Sequence, residues 1–243
     1  MVSMDNTSRS IFEEGQVLSF NKPLYWTSFD LVNKVRSMLR SSLKIKKIKV
    51  GHAGTLDPLA SGLMIICTGK ATKKIDEFRD LDKEYIATIH LGATTPSFDL
   101  ETETDKHYPT DQITEKILTD TLNSFLGEQK QLPPMYSAKQ IDGKRAYEFA
   151  RKGIQKDLIP VTVFFREIEL LSFNIPEPKI RLVCSKGTYI RAFARDLGEA
   201  LKSGAHLTAL ERTAIGSYNV KNAFDIEKFH EYVEQMKPAP VTD

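Results

Sequence analysis

Val50-Gly51-His52-Ala53-Gly54-Thr55-Leu56-Asp57-Pro58-Leu59-Ala60-Ser61-Gly62-Leu63 is the stretch in which residue types and spacing best support chemistry. Three glycines free its backbone to turn tightly or to approach a ligand closely. Pro58 biases Asp57 toward an extended conformation and away from a helix. A short carboxylate is thereby held by a stiff neighbour in a flexible loop between two predicted strands, and loops fixed by rigid elements often carry function. The competing reading is an Asx-type turn in which Asp57 bonds its own backbone. The residues alone leave both open.

Few other motifs compete for the chemistry. Thr68-Gly69-Lys70-Ala71-Thr72 lacks the earlier glycine and the Ser/Thr directly after lysine that a phosphate loop requires. His52, His90, His107, His206 and His230 have no ligand spacing to one another. Asp99, Glu101, Glu103 and Asp105 alternate, but no glycine follows at the calcium-loop position, so an acidic surface loop is expected there. Cys67 and Cys184 are too few and too far apart for a metal cluster or a disulfide framework. Chemistry by side chains alone, without a cofactor, is the expectation.

The elements that must position such a loop can be read from periodicity. Val17–Phe20 is predicted as a strand, and Thr27 or Ser28 as the cap of a helix with Phe29, Val32, Val35 and Leu39 on its apolar face. Ile45, Ile48 and Val50 suggest a strand, Leu63–Cys67 a buried strand, and Ala71–Phe78 a short helix. Tyr85–Leu91 alternates like a strand. Asp111–Leu126 reads as a helix with Ile113, Ile117, Leu118, Leu122 and Phe125 on one side. Strands over Val161–Phe173 and Ile180–Ser185 precede helices over Tyr189–Leu201 and Ile226–Met236. Strands and helices mix without a regular βαβ rhythm, so the class is α+β.

The chain has 243 residues, 41% of them apolar and 27% charged, which is ordinary globular usage. Its longest apolar run, Leu63–Cys67, is far short of a membrane span, and residues 1–15 lack the apolar core of a signal peptide. A soluble, reduced, cytoplasmic protein is expected. The net charge of +2 conceals segregation. Seven basic residues and no acid lie between Leu31 and Val50, and seven more lie between Gln129 and Lys156 against two acids. Thr95 to Glu128 carries eight acids and two bases. Such blocks fit a polyanion partner, although solvated surface lysines would give the same pattern.

The Gly51–Gly62 stretch resembles the catalytic motif of the tRNA pseudouridine synthases of the TruB family, Gly-His-x-Gly-x-Leu-Asp-Pro-x-Ala-x-Gly. Other segments match in the family's order: Asn21-Lys22-Pro23 with Thr27-Ser28, Lys83-Glu84-Tyr85, Thr95-Pro96-Ser97-Phe98-Asp99, Pro133-Pro134-Met135-Tyr136-Ser137-Ala138-Lys139, Gly143–Glu148, Cys184–Arg191, and Gly204–Leu207 with Leu210. The resemblance implies the pseudouridine synthase fold, with a mixed, largely antiparallel central sheet flanked by helices and loops. It implies isomerisation of uridine 55 in the T-arm stem-loop of tRNA after the base is flipped out, with no cofactor, metal, membrane or guide RNA, by a monomer. Asp57 would be the nucleophile or base at the sugar. Arg191 would match the active-site arginine, although an ion pair with Asp196 is the structural alternative. Tyr85 would lie against the target base, with strand core as its alternative, and Leu210 would pack nearby. His52 would fill the space that the flipped nucleotides leave. Lys22 would help hold the active-site loop unless it is a surface lysine. Lys139, Lys144, Arg145, Arg151 and Lys152 would contact phosphates from a basic thumb loop at about 131–156.

The resemblance also frames the organisation: a tail over 1–14, one catalytic domain over 15–236, a tail over 237–243, and no full C-terminal RNA-binding domain. The sequence departs from the family where glycine usually follows Lys-Pro-x, since Tyr25 and Trp26 follow Leu24 here. It departs again at Glu211-Arg212, where one of two basic positions is reversed in sign. Three other readings remain: a noncatalytic tRNA-binding or tRNA-folding protein, an N-glycosylase, and a guide-RNA-dependent relative.

Overall fold

The computed structural model describes residues 11–136, 140–141, 144–145, 148–149, 154 and 158–236. In chain order the strands are β1 (Val17–Lys22), β2 (Val50–His52), β3 (Ala60–Thr68), β4 (Lys83–Leu91), β5 (Ala93–Thr94), β6 (Lys106–His107), β7 (Gly127–Gln131), β8 (Gln140–Ile141), β9 (Lys144–Arg145), β10 (Val161–Ser172), β11 (Lys179–Cys184), β12 (Ala205–Ile215) and β13 (Tyr218–Asn219). The helices used below are α1 (Ser28–Ser42), α2 (Ile75–Asp80), α3 (Glu115–Ser124), α4 (Ile190–Ala200) and α5 (Ile226–Gln235). The class is α+β, as the sequence predicts. The described chain falls into two compact units, one made of the residues up to Leu81 with those from Glu211 on, the other of Asp82–Leu210.

In the first unit β3 is an unbroken buried run, because it is paired on both edges. β1 lies antiparallel along one edge, while β2 and the part of β12 from Glu211 lie along the other. Ala53, Leu63, Ile65, Cys67 and Ile215 form an apolar cluster over which Ile75, Phe78 and Tyr218 pack. β1 alternates, with Leu18, Phe20 and Lys22 on its buried face. Phe20 meets Phe229 of α5 edge-on at 4.8 Å between ring centroids. α1 begins at a capping box: the Thr27 side chain accepts from the Asp30 amide, and the Asp30 carboxylate accepts from the Thr27 amide at 2.9 Å. Such a box typically stabilises a helix start by about 1 kcal/mol. The α1 face that turns inward is Leu31, Val32, Val35, Met38 and Leu39. Phe29, predicted on that face, is 63% exposed.

In the second unit β4, β11, β10 and β7 pair antiparallel in that order, and the first part of β12 borders β4. β4 buries Tyr85, Ala87, Ile89 and Leu91 on one face, which is the period of two expected of a half-buried strand. Phe193 of α4 stacks near Phe125 and Phe165, at 5.3 and 5.2 Å between ring centroids.

Several boundaries differ from the sequence expectation. Ile45 and Ile48 precede β2 rather than belonging to it, because Ile45 is buried from a turn in which Lys44 has φ 52°. The 71–78 helix is a 3-10 segment over Gly69–Lys74 followed by α2. The 111–126 helix starts only at Glu115, where the Thr114 hydroxyl caps it, and its Ile117 is 45% exposed. β7 and β12 were not predicted.

Candidate active site

The Asp57 loop is fixed through its backbone by three separate elements of the first unit. From α1, the buried Ser28 hydroxyl donates to the Leu56 carbonyl at 2.9 Å and accepts from the Leu56 amide at 2.8 Å. From the turn before α1, the Tyr25 amide donates to the Pro58 carbonyl at 2.7 Å. From β12, the Arg212 guanidinium donates to the Gly54 and Thr55 carbonyls, each at 3.4 Å, and to Leu63 at 2.7 Å. Within the loop the Ala60 amide donates to the Asp57 carbonyl at 3.1 Å. The Asp57 side chain is half-buried. Both residues flanking Asp57, and the carbonyls two and three positions before it, are therefore anchored. That is the rigidity a positioned carboxylate needs.

In the sequence reading Arg212 is noted only beside the sign reversal at Glu211 and is given no role at the site. It is 1% exposed, and its three carbonyl partners take the place of water around a buried cation. The backbone of β12 reaches β3 at Gly62, which has φ 108° and where a Cβ would collide with the Arg212 amide and carbonyl. The signal available in the sequence was a glycine facing a cation-bearing strand, but that strand was itself not predicted.

Lys22 is fully buried, not a surface lysine. It continues the inward alternation of Leu18 and Phe20, and its Nζ donates to the Trp26 carbonyl at 2.6 Å and to the Pro23 carbonyl at 2.8 Å. Burial pulls its pKa down to about 8, with Asp57 holding it up and Arg212 pushing it further down. Lys22 thus organises the turn that leads to the Ser28 anchor and feels the Asp57 charge. His52, on β2, is held below the usual imidazole range chiefly by burial, and then by Arg79 and Arg212 against a raising contact with Gly54. Among the described residues its Nδ1 is a buried polar atom without a hydrogen-bond partner. A neutral ring with a polar edge to spare suits packing against a ligand more than acid–base work.

Tyr85, Arg191 and Leu210 belong to the second unit. Tyr85 is buried on the inward face of β4, paired in register with Leu182. Arg191 lies in the first turn of α4, whose start is set by Gln131: the Gln131 amide group bonds both the Tyr189 amide, at 2.8 Å, and the Tyr189 carbonyl, at 3.1 Å. The Arg191 guanidinium is buried, donates to the Tyr136 carbonyl at 2.8 Å and to Ser97 at 3.4 Å, and pairs with Asp99 at 3.5 Å. The structural alternative for Arg191 named Asp196, but Asp196 pairs with Arg195 at 2.6 Å. Asp99 is buried rather than part of an acidic surface loop, and its second oxygen accepts from the Glu101 amide at 2.9 Å. Leu210 is half-buried at the end of this unit.

In the basic segment β8 and β9 pair antiparallel, which places the backbones of Lys144 and Arg145. Lys139, Arg151 and Lys152 lie outside the described residues. Both cysteines are buried and their thiols are pushed up, to about 11 for Cys67 and about 12 for Cys184. They are inert at neutral pH. No helix among the described residues is long and apolar enough to cross a membrane.

Residues 40–190 match the TruB family pseudouridylate synthase (N terminal domain), and residues 191–239 match the tRNA pseudouridylate synthase B C-terminal domain. The tRNA pseudouridine synthase B of Phocaeicola vulgatus is 59% identical over 226 residues, covering 93% of this chain and 96% of the relative. The chain belongs to the TruB family. Further members that it resembles include the tRNA pseudouridine synthases B of Bacteroides fragilis, 58% identical over 93% of this chain and 97% of the relative, and of Flavobacterium johnsoniae, 52% identical over 91% and 97%. Among solved structures, a Cbf5-Nop10-Gar1 complex aligns with a TM-score of 0.67 and 25% identity over 93% of this chain and 56% of that one. The archaeal box H/ACA sRNP Nop10-Cbf5 complex aligns at 0.65 and 23% over 93% and 58%, a likeness of fold. The TruB assignment covers both the Asp57 loop and Arg191 within matched segments.

Proposed function

We propose that this chain isomerises uridine to pseudouridine at position 55 in the T arm of tRNA, with Asp57 acting at the sugar of a flipped-out nucleotide. Membership of the TruB family supports uridine isomerisation in tRNA, and the relatives' names point to the same substrate. The observation that carries the finer reading is the Asp57 loop, a half-buried carboxylate on a backbone anchored by Ser28, Tyr25 and Arg212.

The reaction breaks the N1–C1′ bond and forms a C5–C1′ bond. C5 gives up a proton and N1 takes one, so there is no net redox change. A carboxylate serves either by adding to the sugar or by removing a sugar proton. Tyr85 supplies a ring against the target base and Arg191 a fixed cation. His52 fills the space left by the extruded nucleotides, with Leu210 against the base. Extrusion itself is what a base in a folded loop requires before it can be reached. Lys139, Lys144, Arg145, Arg151 and Lys152 contact phosphates, and no guide RNA takes part.

The test uses a T-arm hairpin tritiated at C5 of uridine. Wild type should release tritium and give pseudouridine at position 55 with no free uracil. Asp57→Asn should fold, bind the hairpin, and release tritium at least roughly a thousandfold more slowly. Free uracil would indicate an N-glycosylase instead. Full activity in Asp57→Asn would remove Asp57 from the mechanism.

A further inference from the structure

Tyr25 stands where the fold asks for glycine. Its φ is 67°, a left-handed conformation that is a genuine outlier for a bulky residue. The turn around it is locked, since Lys22 holds the carbonyls of Pro23 and Trp26 on either side and the Tyr25 amide is bonded to Pro58. Glycine would satisfy this backbone without strain. The tyrosine side chain gains little packing in return, being 75% exposed. Phe29 at 63% and Leu24 at 45% are exposed beside it in sequence. A strained backbone that presents an aromatic ring to solvent is a feature the fold does not need, and such features cluster at binding sites.

We infer that Tyr25 is a stacking platform for an unpaired nucleobase of the RNA loop, close to the nucleotide that reacts; this rests on the reading of Asp57 given above. The occupant follows from place and chemistry. The Tyr25 amide is bonded to the residue directly after Asp57, so whatever covers the ring lies close to RNA held at Asp57. Unstacked bases are recognised on aromatic faces. A phosphate is the poorer occupant, because the adjoining groove of about 550 Å³ sets Glu211, Asp225 and Glu227 against Lys34 and the buried Lys22, with Trp26 along its wall. The contact is therefore one of ring on ring and adds no phosphate neutralisation.

The test titrates the full chain and its Tyr25→Gly and Tyr25→Phe variants with T-arm hairpins that carry 2-aminopurine at one unpaired loop position at a time. Trp26, the chain's one tryptophan, reports the same binding from the protein side. Tyr25→Gly relieves the backbone, so its Tm should hold or rise. Its Kd should rise between about fivefold and about 150-fold, the range expected for one lost base stack. Tyr25→Phe should bind like wild type. The loss should be the same at low and high salt, because a stack releases no counterions, whereas loss of a phosphate contact would shrink as salt rises. One 2-aminopurine position should lose its fluorescence change in Tyr25→Gly alone.

Equal affinity and equal fluorescence in wild type and Tyr25→Gly would overturn the inference. So would a change confined to self-association of the protein without RNA, which would mark the face as a protein contact. If wild type converts the uridine while Tyr25→Gly binds normally, only the stacking role falls. If wild type neither binds nor converts the hairpin, the reading of Asp57 falls with it.

Discussion

Asp57 and Arg191 are held in opposite ways. Asp57 is placed through its backbone: side chains and amides from α1, the Tyr25 turn and β12 grip the carbonyls and amides around it. Arg191 is placed through its own side chain, which a carboxylate and two carbonyls receive directly, on a helix start set by Gln131. The difference follows from length. A short aspartate has almost no freedom beyond its Cα, so aiming it means fixing the chain. A long arginine has several rotatable bonds, so aiming it means fixing the tip.

The largest effect that would probe this contrast is Arg212→Met, which keeps much of the volume but leaves three carbonyls without their donor. It should cost about 3 kcal/mol or more of stability. It should also lower kcat even where the protein remains folded, as read by urea melts alongside tritium release. A variant as stable and as active as wild type would break the idea that the loop is clamped from β12.

Next come Ser28→Ala and Asp99→Asn as a pair. Ser28→Ala leaves a buried amide and carbonyl unpaired, at about 1–3 kcal/mol, and should speed hydrogen exchange at the Leu56 amide. Asp99→Asn should lower kcat by about tenfold, as expected for roughly 1.4 kcal/mol of lost transition-state stabilisation, without changing exchange at Leu56. Equal exchange in the two variants would mean that the two modes of support are not separate.

The smallest effect is in pH. The Lys22 pKa is lower in the folded chain, about 8 against an ordinary 10.5, so the unfolded chain holds more protons between those values. Stability should therefore rise with pH in that window, by about 1 kcal/mol between pH 8 and 9. Lys22→Met should lack this rise, and parallel slopes in the two proteins would show that Lys22 does not titrate as described.

Much of the fold could be read along the chain because local pattern and burial agree: β1, β3, β4, β10, β11, α1, α4 and α5 all fall where period and caps predict. The chemistry-bearing loop could be read as well, since glycines and Asp57-Pro58 are adjacent in sequence. Its supports were harder. β12 escaped because its burial follows no simple alternation, and in the first unit it buries Arg212 almost as completely as Ile215, although pattern reading places an arginine outside. For Lys22 the surface alternative falls, as the alternation of Leu18 and Phe20 already points it inward. Phe29 erred the other way, an apolar residue at a helical interval that the start of α1 turns toward solvent. For Arg212 the deciding contacts lie across some 150 residues, where a linear pattern carries no information.

The collision that any side chain at Gly62 would make with the Arg212 backbone has a hereditary consequence. A substitution at Gly62 would push aside the strand segment that carries the guanidinium, and with it the grip on Gly54 and Thr55. The two positions, 150 apart in the numbering, cannot drift independently. A lineage that altered one would have to rebuild the other in the same step or lose the loop that both hold.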